Sequence, residues 1–204
     1  MKYKVVYQFR WILILIFLLF IYLSNLIFIR LPFIGLDMTN IFSNYLPNFK
    51  IEMQIYSIQT IVVWTCGVVS GPRIALITLL LYLTLGLVGF PIFASGGGFN
   101  YYEEPTFGYL MSLPILAFLS GLFYERNKKF LSIFLPILIT HLLGIIYLLL
   151  FKRDWFDISW HLSFSTISYD LIFSLLLMPF VPLLSFFFKE MFIQEVPVRR
   201  SLYG

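Results

Sequence analysis

The sequence predicts an all-α, polytopic membrane protein: a single transmembrane domain over residues 1–204, with six transmembrane helices and both termini in the cytoplasm. Of its 204 residues, 60% are hydrophobic and only 12% are charged, whereas a soluble domain is about half apolar and about a quarter charged. The mean hydropathy of +0.92 agrees with this class. So few charges could not cover a water-facing surface, and the composition therefore excludes the water-soluble classes of protein.

Six apolar stretches are each long enough to cross a membrane. A hydrocarbon core of about 30 Å requires roughly 20 helical residues, because a helix rises about 1.5 Å per residue. The first stretch follows a basic lead like that of a signal peptide, but its apolar run is longer and no small-x-small cleavage site follows, so we expect it to be retained. The predicted helices cover about residues 11–29, 53–70, 74–92, 106–124, 130–151 and 166–188.

The basic residues predict the orientation of these helices. Cytoplasmic loops of membrane proteins are enriched in Lys and Arg. With six crossings and an internal N-terminus, only Arg30, Lys50, Lys152 and Arg153 of the 14 basic residues lie outside. We therefore expect a multi-pass protein of the cytoplasmic membrane, embedded in the lipid bilayer. The basic residues expected on the cytoplasmic side are Lys2, Lys4, Arg10, Arg73, Arg126, Lys128, Lys129, Lys189, Arg199 and Arg200.

Several kinds of chemistry are disfavoured by the residue inventory. Cys66 is the single cysteine, which removes disulfide frameworks and cysteine-based metal sites. The two histidines, His141 and His161, are too few for a histidine-rich metal site. No Gly-x-x-x-x-Gly-Lys motif is present, so the chain itself does not hydrolyse ATP. We expect no metal, no cofactor and no nucleic-acid partner.

The outer connections are longer than the inner ones and hold most of the polar residues. Non-helical backbone at membrane depth must find partners in protein or water, so these loops should fold over the helix ends and cover a pocket. Asp170, inside the sixth apolar stretch, is the strongest candidate for a ligand contact. A carboxylate there costs about 2.5–3.5 kcal/mol unless it faces a partner or a cavity. The alternative is an interfacial acid stabilised by a helix N-terminus. An ionised carboxylate would suit a ligand that presents N–H groups.

A glycine-rich segment, residues 94–100, supplies the next candidates. Successive glycines let backbone approach a ligand closely, and Asn100 offers a donor and an acceptor; the alternative is a flexible loop. Gln59, in the outer half of the second helix, either contacts a ligand or pins two helices together. An intramembrane serine hydrolase is a further alternative that would use Ser95 and His141, which would have to lie within hydrogen-bonding reach of each other.

The order and spacing of several short motifs over residues 57–98 resemble the BioY family, the biotin-specific substrate-binding (S) subunits of energy-coupling-factor (ECF) transporters. Gly108-Tyr109 and Leu142-Leu143-Gly144 continue the similarity more thinly. The matching pieces are Gln59-Thr60, Gly71-Pro72-Arg73, Tyr82, Leu85-Gly86, Gly89-Phe90-Pro91-Ile92-Phe93-Ala94 and the glycines that follow.

The resemblance implies a vitamin, most simply biotin, bound beneath the outer loops. It places the family's helix 6 aspartate on Asp170, which would accept hydrogen bonds from the ureido ring of biotin. It places the polar loop residue near Gly97, with Asn100 as a stand-in, and has Phe93 and Tyr101 flank the ligand. Such subunits work with a transmembrane coupling subunit and two ATPase subunits, and are not enzymes themselves.

The sequence also departs from the family pattern. Glu103 and Glu104 replace small residues at the pocket rim, where they would repel a biotin carboxylate unless they point away. Phe173 stands where the family has a lysine shortly after the aspartate. The first helix lacks the Ala-x-x-x-Ala face with which such subunits dock to their partner. A subunit of the same kind that binds a different small vitamin is therefore kept as an alternative.

Overall fold

The computed structural model describes residues 3–5, 8–36, 49–192 and 195–197, and most of these residues are helical. Two short antiparallel pairings accompany the helices: β1 (Tyr3–Val5) with β4 (Glu195–Pro197), and β2 (Phe28–Leu36) with β3 (Phe49–Ser57). A π-helical turn, Trp160–Phe164, follows α6, and a 3-10 turn, Met178–Phe180, follows α7. The helices are α1 (Gln8–Ser24), α2 (Gln59–Ser70), α3 (Pro72–Val88), α4 (Phe107–Glu125), α5 (Leu131–Phe151), α6 (Trp155–Ser159), α7 (Ile167–Leu177) and α8 (Val181–Phe192).

Three helical runs are long and apolar enough to cross a membrane: Phe107–Glu125, Leu131–Phe151 and the run Trp155–Phe188 that contains α6, α7 and most of α8. Three further apolar helices are shorter, at Arg10–Ser24, Gln59–Ser70 and Pro72–Val88. In the described part of the chain, each of the six predicted apolar stretches therefore contains a helix. Six full crossings and cytoplasmic termini stay predictions.

The prediction of an all-α protein is wrong for the first long connection, where β2 and β3 form an antiparallel hairpin. Residues 53–57, predicted as the start of the second helix, belong to β3, and residues 28 and 29, predicted as the end of the first helix, belong to β2. The reason is visible in β3, in which apolar and polar residues alternate from Phe49 to Gln54, the period of a strand. Apolar content alone had suggested a helix.

Two other boundaries differ from the predictions. The third helix ends at Val88 rather than near residue 92, because Gly89 has a φ of 122° that helical backbone does not adopt. The last helical run begins at Trp155 rather than near 166, so residues predicted as an outer loop are helical. Gly71, with a φ of 84°, joins α2 directly to α3, which starts at Pro72. A connection this short makes α2 and α3 antiparallel neighbours.

The buried core lies between α1, α2, α3, α4 and α5. Its largest buried side chain, Trp64, donates a hydrogen bond from Nε1 to the Ser132 carbonyl oxygen at 2.9 Å. A side chain at Gly67 would collide with the backbone of Ala117, so that glycine permits the close approach of α2 to α4. Large apolar side chains such as Leu150 are exposed on the outside of the bundle, which fits a lipid-facing surface.

Candidate functional site

A cavity of about 320 Å³ lies at one end of the helical bundle, beneath the β2–β3 hairpin. Because consecutive helices alternate in direction, the C-terminal ends of α1, α3 and α5 meet the N-terminal ends of α2, α4 and α7 there. Each of these six helices, or the residue directly after it, contributes a polar side chain to the lining, and Tyr56 of β3 adds another. His141 does so from the middle of α5. The six residues are Asn25, Gln59, Tyr82, Tyr109, His141 and Asp170.

Asp170 lies in the first turn of α7 with only 2% of its surface exposed. Its Oδ1 accepts a hydrogen bond from the Tyr56 hydroxyl at 2.6 Å, and its Oδ2 lies 3.0 Å from His141 Nε2. The carboxylate therefore faces the cavity and protein partners, and it also lies at a helix start, as the alternative interpretation required. Its contact with a ligand stays a prediction. Each oxygen has one lone pair left, because a carboxylate accepts about four hydrogen bonds.

The contacts of Asp170 continue through His141 to two hydroxyl groups. His141 Nδ1 lies 3.2 Å from Ser163 Oγ, which lies 2.6 Å from the Tyr109 hydroxyl. With Asp170 ionised, its oxygens only accept, so His141 Nε2 carries the proton and Nδ1 of the neutral ring accepts from Ser163. Tyr109 then donates to Ser163, and one tautomer satisfies every member. We call these five residues, Tyr56, Asp170, His141, Ser163 and Tyr109, the acidic network.

Tyr56 attaches the hairpin to the acidic network. Burial raises the pKa of the Tyr56 hydroxyl, and the nearby Asp170 carboxylate raises it further, so the hydroxyl keeps its proton and stays a donor. Further hydrogen bonds hold the hairpin on the bundle. Tyr169 donates to the Pro32 carbonyl oxygen, Gln54 donates to the His161 carbonyl oxygen at 3.1 Å, and Gln54 Oε1 lies 3.3 Å from His161 Nδ1. The hairpin thus closes the cavity with side chains that also line it.

A second polar group, without charge, lines the same cavity. Asn25 Nδ2 donates to the Tyr82 hydroxyl at 2.6 Å and to the Ile92 carbonyl oxygen at 2.8 Å. Tyr82 itself donates to the Ile92 carbonyl oxygen at 3.2 Å and accepts from Gln59 Nε2 at 3.3 Å. We call Asn25, Gln59, Tyr82 and the Ile92 carbonyl the neutral cluster. Gln59 therefore pins α2 to α3, which is one of its two predicted roles, and it also lines the cavity. Its contact with a ligand stays a prediction.

Within the glycine segment, Ala94 lines the cavity, whereas Gly97 and Gly98 pack against the end of α3. The Gly98 N–H donates to the Gly86 carbonyl oxygen at 2.7 Å, and a side chain at Gly97 would collide with the Phe90 carbonyl group. Gly97 is not among the residues that line the cavity, and neither is Asn100, which is exposed. The structure thus places both predicted ligand contacts outside the lining, because glycine serves here for contact between two backbone segments.

The two predicted aromatic contacts differ in position. Tyr101 lines the cavity, whereas Phe93 is buried behind it and contacts Tyr101 and Tyr82, with ring centroids 4.7 and 5.4 Å apart. Phe93 therefore supports the aromatic wall without belonging to the lining. Leu110 and Leu113 of α4 extend the apolar part of this wall.

The serine and histidine of the hydrolase alternative are not brought together. Ser95 is exposed and does not line the cavity. The hydrogen bonds described for His141 lead to Ser163 and Asp170. The structure thus gives no support to a Ser95–His141 pair, because the glycine segment is held at the end of α3 and His141 lies inside α5.

The residues that depart from the family pattern lie around the cavity rather than in it. Glu103 and Glu104, in and after a 3-10 turn at Phe99–Glu103, do not line it, and Lys152 donates to the Glu103 carbonyl oxygen. Phe173 contacts the ring of Tyr56, with ring centroids 5.7 Å apart, and lines an adjacent apolar groove rather than the cavity. Neither acid therefore projects into the lining.

The sequence did not indicate Tyr56, Tyr82, Asn25 or Tyr109 as site residues, although Tyr82 and Tyr109 belong to the motifs that resemble the family. It named His141 as a site residue only in the hydrolase alternative. The alternation of β3 could have indicated Tyr56, since it shares a strand face with Gln54. Within the described residues, no group of three or more His, Cys, Asp or Glu side chains is placed to hold a metal ion.

Apolar helices that close over a buried polar cavity at one end define a helical membrane protein with a small-molecule site. The model of the BioY family matches residues 3–189. The chain therefore belongs to the BioY family.

Curated relatives match over part of their length. The chain is 34% identical over 90 residues to the probable biotin transporter BioY of Pyrococcus horikoshii, covering 43% of this chain and 54% of that protein. It is 35% identical over 74 residues to the probable biotin transporter BioY of Lysinibacillus sphaericus, covering 36% of this chain and 38% of the relative. The matches thus span about two fifths to one half of these relatives.

A solved structure is similar over most of the chain. It is described as the crystal structure at 2.1 Å of the S-component for biotin from an ECF-type ABC transporter. The two chains are 20% identical with a TM-score of 0.43, and the match covers 89% of this chain and 87% of the other.

Proposed function

We propose that this chain is the substrate-binding subunit of a biotin uptake transporter and has no enzymatic activity of its own. Membership of the BioY family supports this role, as do relatives that carry the name biotin transporter. The observation that carries the proposal is the buried Asp170 carboxylate, which faces a cavity of suitable size for a small molecule and still has acceptor capacity.

The chemistry of biotin fits the two sides of the cavity. The ureido ring presents two N–H donors, which match the free lone pairs of Asp170. The fused thioether ring is apolar and fits the wall formed by Tyr101, Leu110 and Leu113. Asp170 is held by Tyr56 and His141 before any ligand arrives, so little reorganisation is needed on binding.

The proposed transport cycle requires partners. A transmembrane coupling subunit and two ATPase subunits would bind the cytoplasmic end, where Gly71-Pro72-Arg73 joins α2 to α3. The subunit would take up biotin from outside and then reorient in the cytoplasmic membrane, which it crosses six times with both termini inside. The nucleotide state of the partners must favour one orientation of the subunit over the other, because a partner that binds both orientations equally well would not shift the equilibrium between them.

Equilibrium binding to the purified full-length chain tests the proposal. Labelled biotin should bind saturably at one site per chain and be displaced by unlabelled biotin but not by thiamine or riboflavin. Absence of saturable biotin binding to folded protein would contradict the proposal. Displacement by another vitamin at lower concentration than biotin would favour a subunit of the same kind with a different ligand.

A further inference from the structure

We propose that the cavity recognises biotin in a form with an uncharged tail, an amide of the carboxyl group, at least as well as it recognises the free acid. This inference rests on the proposed function and specifies its substrate class. It is based on two properties of the neutral cluster, which lines the same cavity as the acidic network: this cluster carries no charge, and only some of its hydrogen-bonding groups remain for a ligand.

No Lys or Arg is found among the described side chains that line the cavity, whereas Asp170 is a buried acid there. Residues 37–48, between the two strands, contain no Lys or Arg either. Lys50 lies near the start of β3. At a rise of about 3.3 Å per residue, its backbone is about 23 Å along the strand from that of Ser57, which lines the cavity next to α2. Arg30 of β2 lies nearer, since its backbone pairs with that of Ile55, but its side chain is exposed and is not among the lining residues. A carboxylate at the neutral cluster would therefore meet no cation within the described lining.

The donors of the neutral cluster are already largely used. Both N–H bonds of Asn25 point to partners, the Tyr82 hydroxyl and the Ile92 carbonyl oxygen. The Tyr82 proton is directed to the same carbonyl oxygen, and one N–H bond of Gln59 is directed to Tyr82. The remaining N–H donor is one N–H bond of Gln59, and the side-chain carbonyl oxygens of Gln59 and Asn25 remain as acceptors.

One donor beside one acceptor is the complement of an amide. A carboxylate is an acceptor only, so it would use the remaining Gln59 N–H but face the Gln59 carbonyl oxygen without a proton between them. It would also lose its hydration without gaining a positive partner, which is the costly way to bury a charge. An amide tail is uncharged, so it has no charge to desolvate when it enters the cavity. It can also pair with both the remaining N–H bond and the carbonyl oxygen of Gln59.

Competition against labelled biotin tests this inference on the purified, full-length chain with two probes, unlabelled biotin and biotin primary amide. We expect the amide to displace the label at the same concentration as biotin, within threefold, or at a lower one. An amide weaker than biotin by more than threefold overturns the inference and leaves the proposed function standing. Failure of both probes and of the label to bind folded protein overturns the proposed function and the inference together.

The variant Gln59→Lys tests where the tail lies. A cation at this position should improve the affinity for free biotin relative to the amide by about tenfold or more, because a hydrogen bond between charged groups is stronger than a neutral one. A ratio that stays within threefold of the wild-type ratio in a variant with a cooperative thermal transition would show that the tail does not reach the neutral cluster, and would overturn its placement there.

Discussion

Replacing Asp170 with Asn tests the assignment of the central ligand contact. The change keeps the size of the side chain and one acceptor oxygen, which can still receive the Tyr56 hydroxyl proton. The new amide group can donate to His141 Nε2 if the imidazole adopts its other tautomer, in which Nδ1 donates to Ser163. The acidic network therefore survives the substitution, and the expected loss falls on the ligand, which no longer meets a carboxylate.

The magnitude follows from the bond that is lost. A hydrogen bond to a charged group contributes about 1.5–3 kcal/mol, and part of it is retained because the amide oxygen still accepts. We therefore expect Asp170→Asn to weaken biotin binding by about 1–3 kcal/mol, which is roughly 5- to 150-fold in the dissociation constant. Equilibrium binding of labelled biotin to purified wild type and variant measures this directly.

A matched control is available in the same helical run. Asp157→Asn makes the identical change at an exposed acid of α6 that does not line the cavity. It should leave the affinity within twofold of wild type. An Asp170→Asn affinity within twofold of wild type, in a variant that unfolds at the wild-type temperature, would remove Asp170 from the binding site.

Three further substitutions have defined outcomes. His141→Ala should weaken biotin binding by about tenfold, because Asp170 loses the donor that orients its Oδ2; binding titrations check this. Tyr56→Phe should lower the free energy of unfolding by about 1.5–3 kcal/mol, because a buried hydrogen bond to a carboxylate is lost; a lower Tm would show it. Gly97→Ala should reduce the Tm markedly, because its Cβ would collide with the Phe90 carbonyl; differential scanning fluorimetry measures the shift.

Each of these three predictions has its own contradicting result. A His141→Ala variant that binds biotin like wild type would show that Asp170 needs no orientation by the imidazole. A Tm unchanged in Tyr56→Phe would show that the hairpin is held without this bond. For the glycine segment, Ser95→Ala is the control, since Ser95 is exposed; equal Tm values for this variant and Gly97→Ala would refute the packing role of Gly97.

The helical part of the fold was accessible from the sequence because membrane-spanning helices are specified by apolar length. Each predicted stretch contains a helix, although α2 is much shorter than its predicted stretch. The hairpin was missed because residues 28–29 and 53–57 are apolar enough to pass for extensions of α1 and α2, and the residues between them were predicted as an outer loop. The exposed residues Ile51, Met53 and Ile55 of β3 alternate with polar ones, and only the period of two separates this pattern from a helix.

Only part of the site could be predicted from the sequence, and the physical reason differs from the one that applies to the fold. Asp170 could be singled out because a lone acid in an apolar stretch is costly unless it faces a cavity. His141 could not be singled out, because its role depends on contacts with Asp170 and Ser163, which are 29 and 22 residues away in sequence. Gly97 was placed near a ligand by the family resemblance. Glycine permits close approach of backbone, but the sequence does not show which group approaches it.

A structure of the full-length protein with biotin bound tests the central claim most directly. Ureido nitrogen atoms of biotin at hydrogen-bonding distance from the Asp170 carboxylate, about 2.7–3.2 Å, in the cavity beneath the hairpin are the predicted result. Biotin bound elsewhere on the protein, with the contacts of Asp170 to Tyr56 and His141 undisturbed and the cavity empty, would contradict it.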